Sequence, residues 1–230
     1  MDTLNWEPPP TAYEMSLTYS HVPNPTNEQV ETAVTLFADL MKDSAAVLSL
    51  SGGDPSLIPD MARSVLKAGI FAAGEFYIAA NEREEIVGFT MWMPPGQEMF
   101  STLEQRALGL NDFMSKLPEL GREVYKAIYI TRLPTFVNGL LGPTGKIDSW
   151  WLYMAMVRKD YQRKHIATTL INMVREKAAV GGVTMALSTT THANVPFYKS
   201  RGFDLRGSTV IQSPWGEWPL HVFALEVPTT

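Results

Sequence analysis

The sequence predicts a mixed α/β fold (α+β) with helices around a central sheet and a helical insertion ahead of the central strand. Three observations carry that reading. Two short apolar runs, 76–80 and 86–93, flank the polar stretch 81–85, which is the pattern of a hairpin. The apolar run Trp150–Val157 hands over to an amphipathic helix and then to another strand, which is a βαβ crossover. Residues 95–146 between them exceed what a direct connection needs, so they read as an insertion.

Taken in order, residues 1–13, with Pro8, Pro9 and Pro10, read as an extended arm. Residues 1–10 hold two acids, no base and no apolar core, which predicts neither a signal peptide nor a transit sequence. Met15, Leu17 and Tyr19 alternate with polar neighbours, a strand signal over 14–20. Thr26 with Gln29 forms a capping-box pattern ahead of Val30, Ala33, Val34, Phe37, Leu40 and Met41 at helical spacing. Gly52, Gly53, Asp54 and Pro55 make a turn that opens a second helix carrying Met61, Val65 and Leu66. Pro94, Pro95 and Gly96 end the hairpin. From Gln97 to about Thr131 the pattern predicts two amphipathic helices split at Pro118, followed by a loop-rich 134–145.

Trp150–Val157 is apolar throughout, as in a strand buried on both faces. Ile166, Leu170, Met173, Val174 and Ala178 mark one face of the next helix, ended by Gly181 and Gly182. Residues 183–188 predict a strand, Asn194 and Pro196 open a short helix closed by Gly202, and 220–227 predict a final strand.

Composition sets bounds on function. The chain has 230 residues, enough for one domain or a closely packed pair, and 45% of them are hydrophobic, too many for a disordered chain. Without cysteine there is no disulfide, thiolate metal site or Cys nucleophile. His21, His165, His192 and His221 share no ligand spacing, so no metal is expected. A net charge of −5 argues against nucleic acid as a general partner. No apolar run reaches the ~20 residues of a membrane span. The expectation is a soluble, cytoplasmic protein without membrane partners; its oligomeric state is not encoded legibly.

The chemistry concentrates after Val157. Arg158, Lys159, Arg163 and Lys164 place four of the 19 basic residues within seven positions, where a strand hands over to a helix N-terminus. Unpaired amides and the helix dipole favour an anion there, and a phosphate or pyrophosphate would answer that charge. A solvated basic loop that binds nothing is the competing reading. Gln162-Arg163-Lys164-His165-Ile166-Ala167, after a strand ending in Val, resembles the Gln-x-x-small-x-Gly/Ala coenzyme A signature of the GNAT family of N-acetyltransferases. Phe197-Tyr198-Lys199-Ser200-Arg201-Gly202-Phe203 resembles that family's second signature, Tyr-x-x-x-Gly-Phe. The resemblance is close over 150–203 and holds in outline before that.

It implies a mostly antiparallel GNAT-like sheet, one domain over 1–230 with its coenzyme-binding core at 147–227, and acetyl-CoA as co-substrate without a metal. The amides of Gln162, Arg163, Lys164, His165, Ile166, Ala167 and Thr168 would cradle the pyrophosphate, and Met156 and Val157 would pair with the pantetheine arm. His165 departs from the pattern, standing where the family has Gly. It crowds an approaching phosphate, adds a hydrogen bond, or is simply an exposed histidine. Asn194 could contact the coenzyme arm, although helix capping alone explains it and is the leading reading.

Acetyl transfer needs a proton for the departing thiolate, an oxyanion stabiliser and a neutral nucleophile. The resemblance gives the first role to Tyr198; packing in the core is the plainer role for that ring. A backbone N–H around Met156 or Val157 would serve the oxyanion. The family often uses a Glu on the central strand, and Trp150–Val157 contains no carboxylate. Asp148 just before the strand and His192 beyond the next one are the candidate bases, each with an ordinary structural alternative. An amine that enters neutral needs no base. Trp92, Phe100, Tyr125, Tyr129, Phe136, Trp150, Trp215 and Trp218 lie in the segments that would face the acceptor; they either line its site or, for the most part, pack in the core.

The sequence thus points to a small-molecule amine N-acetyltransferase. A non-catalytic acyl-CoA-binding or regulatory module is the alternative, and an unrelated α/β protein with a fortuitous basic turn is the third.

Overall fold

The computed structural model describes residues 16–229. The expected arm and the first two residues of the expected opening strand lie outside the described residues. β1 (Thr18–His21) is followed by α1 (Asn27–Met41), which begins with the capping box: Gln29 N–H donates to Thr26 Oγ1 at 3.2 Å and Thr26 N–H to Gln29 Oε1 at 2.9 Å. A short helix unmarked in the sequence pattern, α2 (Ala45–Leu50), is capped by Ser44. α3 (Ile58–Ala68) is entered through a 3-10 turn at Pro55–Leu57, whose Ser56 N–H donates to the Asp54 carboxylate at 2.8 Å. β2 (Glu75–Ala80) and β3 (Ile86–Met93) are the expected hairpin.

The insertion holds α4 (Leu103–Ala107), α5 (Leu110–Lys116), α6 (Glu119–Tyr125) and α7 (Leu133–Leu141), with a π-helical turn at Lys126–Arg132 joining the last two. The expected loop at 134–145 is therefore largely helix. Pro134 lies in the first turn of α7, where a missing N–H costs nothing, and Gly142 at φ 87° ends the helix. One ion pair joins the insertion to α3, Lys116 to Asp60 at 3.1 Å, and Arg63 of α3 binds Asp60 at 2.9 Å and Glu31 of α1 at 2.8 Å. Exposed pairs of this kind contribute about 0–1 kcal/mol each. Buried Phe113, Leu117 and Tyr125 contribute more, about 2 kcal/mol per side chain, and decide how the insertion packs.

After it come β4 (Trp150–Val157), α8 (Ile166–Gly181), β5 (Met185–Thr189), α9 (Val195–Ser200), β6 (Asp204–Ser213) and β7 (Gly216–Leu225). The strands form one sheet in the order β1-β2-β3-β4-β5-β7-β6, in which only β4 and β5 are parallel. Helices α1–α7 cover one face, over Phe76, Phe89, Met91, Met154, Trp151 and Val222. α8 and α9 cover the other, over Tyr77, Trp92, Trp150, Leu152, Leu187 and Phe223. Among the described residues no helix is long and apolar enough to cross a membrane. The sequence pattern predicts one final strand; the sheet has two there. β6 is an edge strand with only Ile211 buried, so it carries no apolar alternation to read.

The tip of the β6–β7 hairpin is pinned by Gly53, whose φ is +81° and whose missing Cβ leaves room for the Trp215 indole; a Cβ there would lie 2.0 Å from Nε1. Gly53→Ala therefore meets both a disfavoured backbone region and a steric clash. It is expected to lower the urea midpoint by an amount equivalent to about 2–3 kcal/mol, with a changed tryptophan emission.

Candidate active site

The β4–β5 ladder is short. Trp150, Leu152 and the residue between them pair with Met185, Leu187 and Ala186, and then the strands part. β4 continues to Val157 bonded to β3 alone, through pairs such as Thr90↔Ala155 and Gly88↔Val157. A bulge accompanies the parting: the β3–β4 register slips between Met91 and Trp92, leaving Tyr153 unpaired. Tyr153 and Met154 consequently face the α1–α7 layer together, while Ala155 and Val157 face α8. A bulge bends its strand and adds twist, which turns the end of β4 away from β5. Backbone groups on that side of residues 153–157 face a cleft instead of a neighbouring strand. The uniformly apolar run hid this phase change from sequence reading.

At the end of β4, Arg158 N–H still donates to Val87 C=O at 2.8 Å, and a 3-10 turn at Lys159–Tyr161 follows. Gln162 is extended, and its side-chain amide donates back to Val157 C=O at 3.0 Å, locking the loop to the strand. Arg163 and His165 both have left-handed backbones, at φ 63° and 62°. Left-handed residues interleaved in a tight turn direct successive N–H groups into one concavity. No side chain caps α8, and no acid sits in its first turn. The amides of Ile166, Ala167 and Thr168 lie in that first turn, where helix geometry offers them no acceptor. The position where the family has Gly thus needs a glycine-like backbone, and the exposed His165 supplies it under strain.

The four basic side chains divide. Arg158 is paired with Asp160, Nε to carboxylate at 2.9 Å, lies 3.5 Å from Glu85 and stacks over Tyr161 at 4.6 Å. Lys164 lies over the same ring at 4.8 Å. Arg158 and Lys159 line a groove of about 1040 Å³ on the α1 side, bounded also by Glu28, Asp39 and Glu84. Half of the cluster therefore serves that groove, and main-chain amides rather than a ring of cations make the turn anion-friendly.

α9 sets Tyr198 into the opposite layer, 6% exposed, with ring centroids 5.1 Å from Phe197, 5.9 Å from Phe203 and 5.7 Å from Phe223. Phe223 pairs with Leu187, the last β5 residue that also pairs with β4. The phenol ring thus packs beside the point where the strands part. Burial pushes its pKa up, so the proton is held through the neutral range. Asn194 occupies the cap position of α9 without capping; its amide donates to Thr189 Oγ1 at 3.0 Å, fastening the turn to the end of β5. This corrects the capping explanation for Asn194.

Two expectations do not meet at the cleft. Asp148 lies beyond the opposite end of β4, beside a cavity of about 260 Å³ with Thr184, Arg206 and Glu226. It sits in the turn before the strand, and Met154 lies four extended steps beyond Trp150, about 13 Å at ~3.3 Å per residue, so Asp148 stands at the end of β4 away from the free edge. Trp92 and Trp150 belong to the α8 layer and cannot line the other face. Tyr129 and Trp218 do lie on that face, stacked at 6.3 Å, with Tyr125 5.6 Å from Tyr129. Burial, then Tyr153, push the Tyr125 phenol up to about 12.

His192 just beyond β5 is exposed, and its Nδ1 lies 3.0 Å from His221 Nε2. His221 is 6% exposed in the middle of β7, and its Nδ1 lies 2.6 Å from Ser208 Oγ on β6. Sequence reading found no signal for His221 or Ser208, because cross-strand partners have no fixed spacing. Burial, and secondarily His192, push the His221 pKa down. Among the described residues no group of three or more His, Asp or Glu could hold a metal.

Two outcomes follow from this geometry. His165→Gly relieves a left-handed non-glycine backbone and is expected to raise stability by about 1 kcal/mol in thermal denaturation. Because folding lowers the His221 pKa, the unfolded chain binds more protons near and below ~6.5, so this contribution to stability is full above that pH and falls as pH is lowered. His221→Gln should flatten that part of a stability–pH curve measured from pH 8 to 5.

Residues 134–205, which contain β4, the turn, α8, β5 and α9, match the family model described as Acetyltransferase (GNAT) domain. No curated protein matches the chain. Among solved structures, a histone acetyltransferase HPA2 and related acetyltransferase from Corynebacterium glutamicum is similar at 16% identity and a TM-score of 0.59, covering 92% of this chain and 97% of that one. An N-acetyltransferase from Staphylococcus aureus is similar at 10% identity and 0.55, covering 92% and 99%. Arabidopsis thaliana NAA60, solved with a bisubstrate analogue, is similar at 12% identity and 0.50, covering 90% and 97%. The matched segment spans under a third of the chain, and along nearly its whole length the chain shares the fold of solved acetyltransferases.

Proposed function

We propose that the chain is an acetyl-CoA-dependent N-acetyltransferase that moves an acetyl group directly to the amine of a small molecule. The observation that carries this is the parting of β4 from β5 beside a turn of uncapped amides. A free strand edge can pair with the two amides of a pantetheine arm, and the amides of Arg163 and of Ile166, Ala167 and Thr168 can take its diphosphate. The donor set fits that group: neutral N–H donors in a concavity with no carboxylate in the first helical turn.

Acetyl-CoA supplies the activated acetyl thioester. Met156 and Val157, at the end of the free edge, orient the arm, and an amide of the 153–157 segment faces the carbonyl oxygen as charge develops on it. Gln162 keeps the turn in register with the strand. Tyr198 holds a proton beside the parting point for the sulfur that leaves as the C–N bond forms and the C–S bond breaks. Asn194, through Thr189, fixes the opposite wall. The acceptor enters from the α1–α7 face, and its amine reaches the thioester from the side opposite α8.

The close packing around Tyr198 favours a second reading, a module that binds acyl-CoA without turnover. Calorimetry with coenzyme A and thiol release from acetyl-CoA over an amine panel separate the readings. Transfer predicts saturable heat and amine-dependent thiol release; heat alone supports the binding module, and no heat at millimolar coenzyme overturns both. Tyr198→Phe is expected to slow turnover by roughly 10–100-fold with coenzyme affinity unchanged within about twofold. An unchanged rate would remove Tyr198 from the mechanism.

A further inference from the structure

Lys146 carries a charge for which the fold provides no counter-ion. Its ammonium donates to Tyr153 Oη at 3.0 Å and lies 5.4 Å from the ring centre of Trp151 and 5.3 Å from that of Tyr153. Among the described residues no ion pair with a carboxylate forms there. Asp148, two residues on, lines the separate cavity with Arg206 and Glu226. The neighbours from α7 are apolar, among them Phe136, Val137 and Leu140. The phenol oxygen takes one of the ammonium's N–H groups, and ring faces attract the charge without neutralising it. The backbone around it is nonetheless firmly set. Ile147 C=O accepts from Gly96 N–H at 2.7 Å, Thr144 C=O from Asp148 N–H at 2.8 Å, and Lys146 C=O from Ser149 Oγ at 2.9 Å.

Tyr153 ties that charge to the cleft. It is the first residue of β4 beyond Leu152, the last that pairs with β5, so its backbone opens the free edge. Trp151 and Tyr153 both turn their rings to the α1–α7 face, the side from which the acceptor comes. Lys146 starts from the same turn as Asp148, yet its longer side chain lies along that face over Trp151 and reaches the phenol. One tyrosine side chain therefore spans the distance from the free edge to the ammonium. Lys146 and Tyr153 are both half-buried, so the pair keeps a solvent-facing side.

We propose that the Lys146 ammonium, held by Tyr153 and Trp151, binds a carboxylate of the acceptor, so that the acceptor is an amino acid rather than a simple amine or polyamine. The proposal rests on the transferase reading and names the acceptor class for it. A carboxylate accepts the remaining N–H groups in charge-assisted bonds and cancels the charge as the entering molecule displaces water. With the carboxylate on Lys146, the amine of the same molecule is held toward residues 153–157, where the thioester lies. Because the span is short, only a few bonds separate the two groups. A polyamine meets like charge at this position, and an uncharged substituent leaves the ammonium desolvated and unpaired. Lys146 takes no part in the bond changes; it selects and orients the acceptor, and Tyr153 positions Lys146.

The test uses the full chain with acetyl-CoA and matched pairs: tyrosine against tyramine, lysine against cadaverine, and 4-aminobutyrate against n-propylamine. Thiol release gives kcat/KM for each, and the readout is the ratio of the carboxylate-bearing member to its partner. Comparing ratios between proteins cancels the intrinsic reactivity of each amine. For the unsubstituted protein the ratio is expected to exceed about 10 in at least one pair. In that pair Lys146→Met is expected to lower it by roughly 30-fold, mainly through KM, while Lys146→Arg keeps it within about threefold. Lys146→Glu should bring it below one, and Tyr153→Phe, which keeps the ring, should lower it a few-fold. A merely structural lysine would move both members of a pair together. Coenzyme affinity within about twofold of the unsubstituted protein shows that each variant is folded, and the unsubstituted protein tests the proposal without any variant. A ratio below about 10 in every pair, or one that Lys146→Met leaves unchanged, overturns the carboxylate site and leaves the transferase reading standing. Absence of thiol release with all of these compounds overturns both.

Discussion

The backbone hydrogen bonds that β4 does not make with β5 determine what the rest of the molecule can do. The two strands share three paired residues and then separate, while β4 keeps its partner β3 to the end. A sheet interior normally satisfies every N–H and C=O, so a gap opened inside it is a prepared site for an extended, amide-containing ligand. The bulge at Tyr153 provides the bend, and the switch of side-chain faces after it keeps Ala155 and Val157 packed under α8. Position, polarity and direction of the cleft all follow from that one irregularity.

The turn beyond Val157 holds a conformation that its own residues disfavour. Arg163 and His165 in left-handed backbones cost about 1–3 kcal/mol each. Against this, α8 buries Ile166, Leu170, Ile171 and Val174 to 2% exposure or less, worth roughly 8 kcal/mol at ~2 kcal/mol per side chain. The apolar face of α8 therefore fixes where its first turn lies, and the Gln162 side chain ties the other end of the loop to β4. The strained amides are held open by packing that lies well behind them. The same division appears on β5, where Asn194 and Thr189 fasten the exposed turn and the apolar ring stack around Tyr198 anchors it from below.

Much of this was legible in the sequence because it rests on local signals. The capping box at Thr26, the hairpin around 81–85, the apolar β4 and the abrupt basic turn each declare themselves within a few residues. Three features did not. β6 is an edge strand with too little burial to set a periodicity. α7 carries Pro134 and Gly139, which read as loop although a first-turn proline is compatible with a helix. The third was a hydrogen-bonded cluster: Ser208, His221 and His192 meet because β6, β7 and the turn after β5 are neighbours in space. Asp148 failed for the converse reason, since closeness in sequence to β4 placed it at the wrong end of the strand. The count of basic residues also overstated the cations at the turn, because Arg158 is held by Asp160 and Glu85.

Amide hydrogen exchange read residue by residue, with and without coenzyme A, tests the central claim most directly. If the open turn and the free edge of β4 are the ligand's partners, slowing concentrates in the amides of 163–168 and 153–157, with little change in β6 or α5. Uniform slowing across the chain, or protection confined to the groove along α1, would contradict the account.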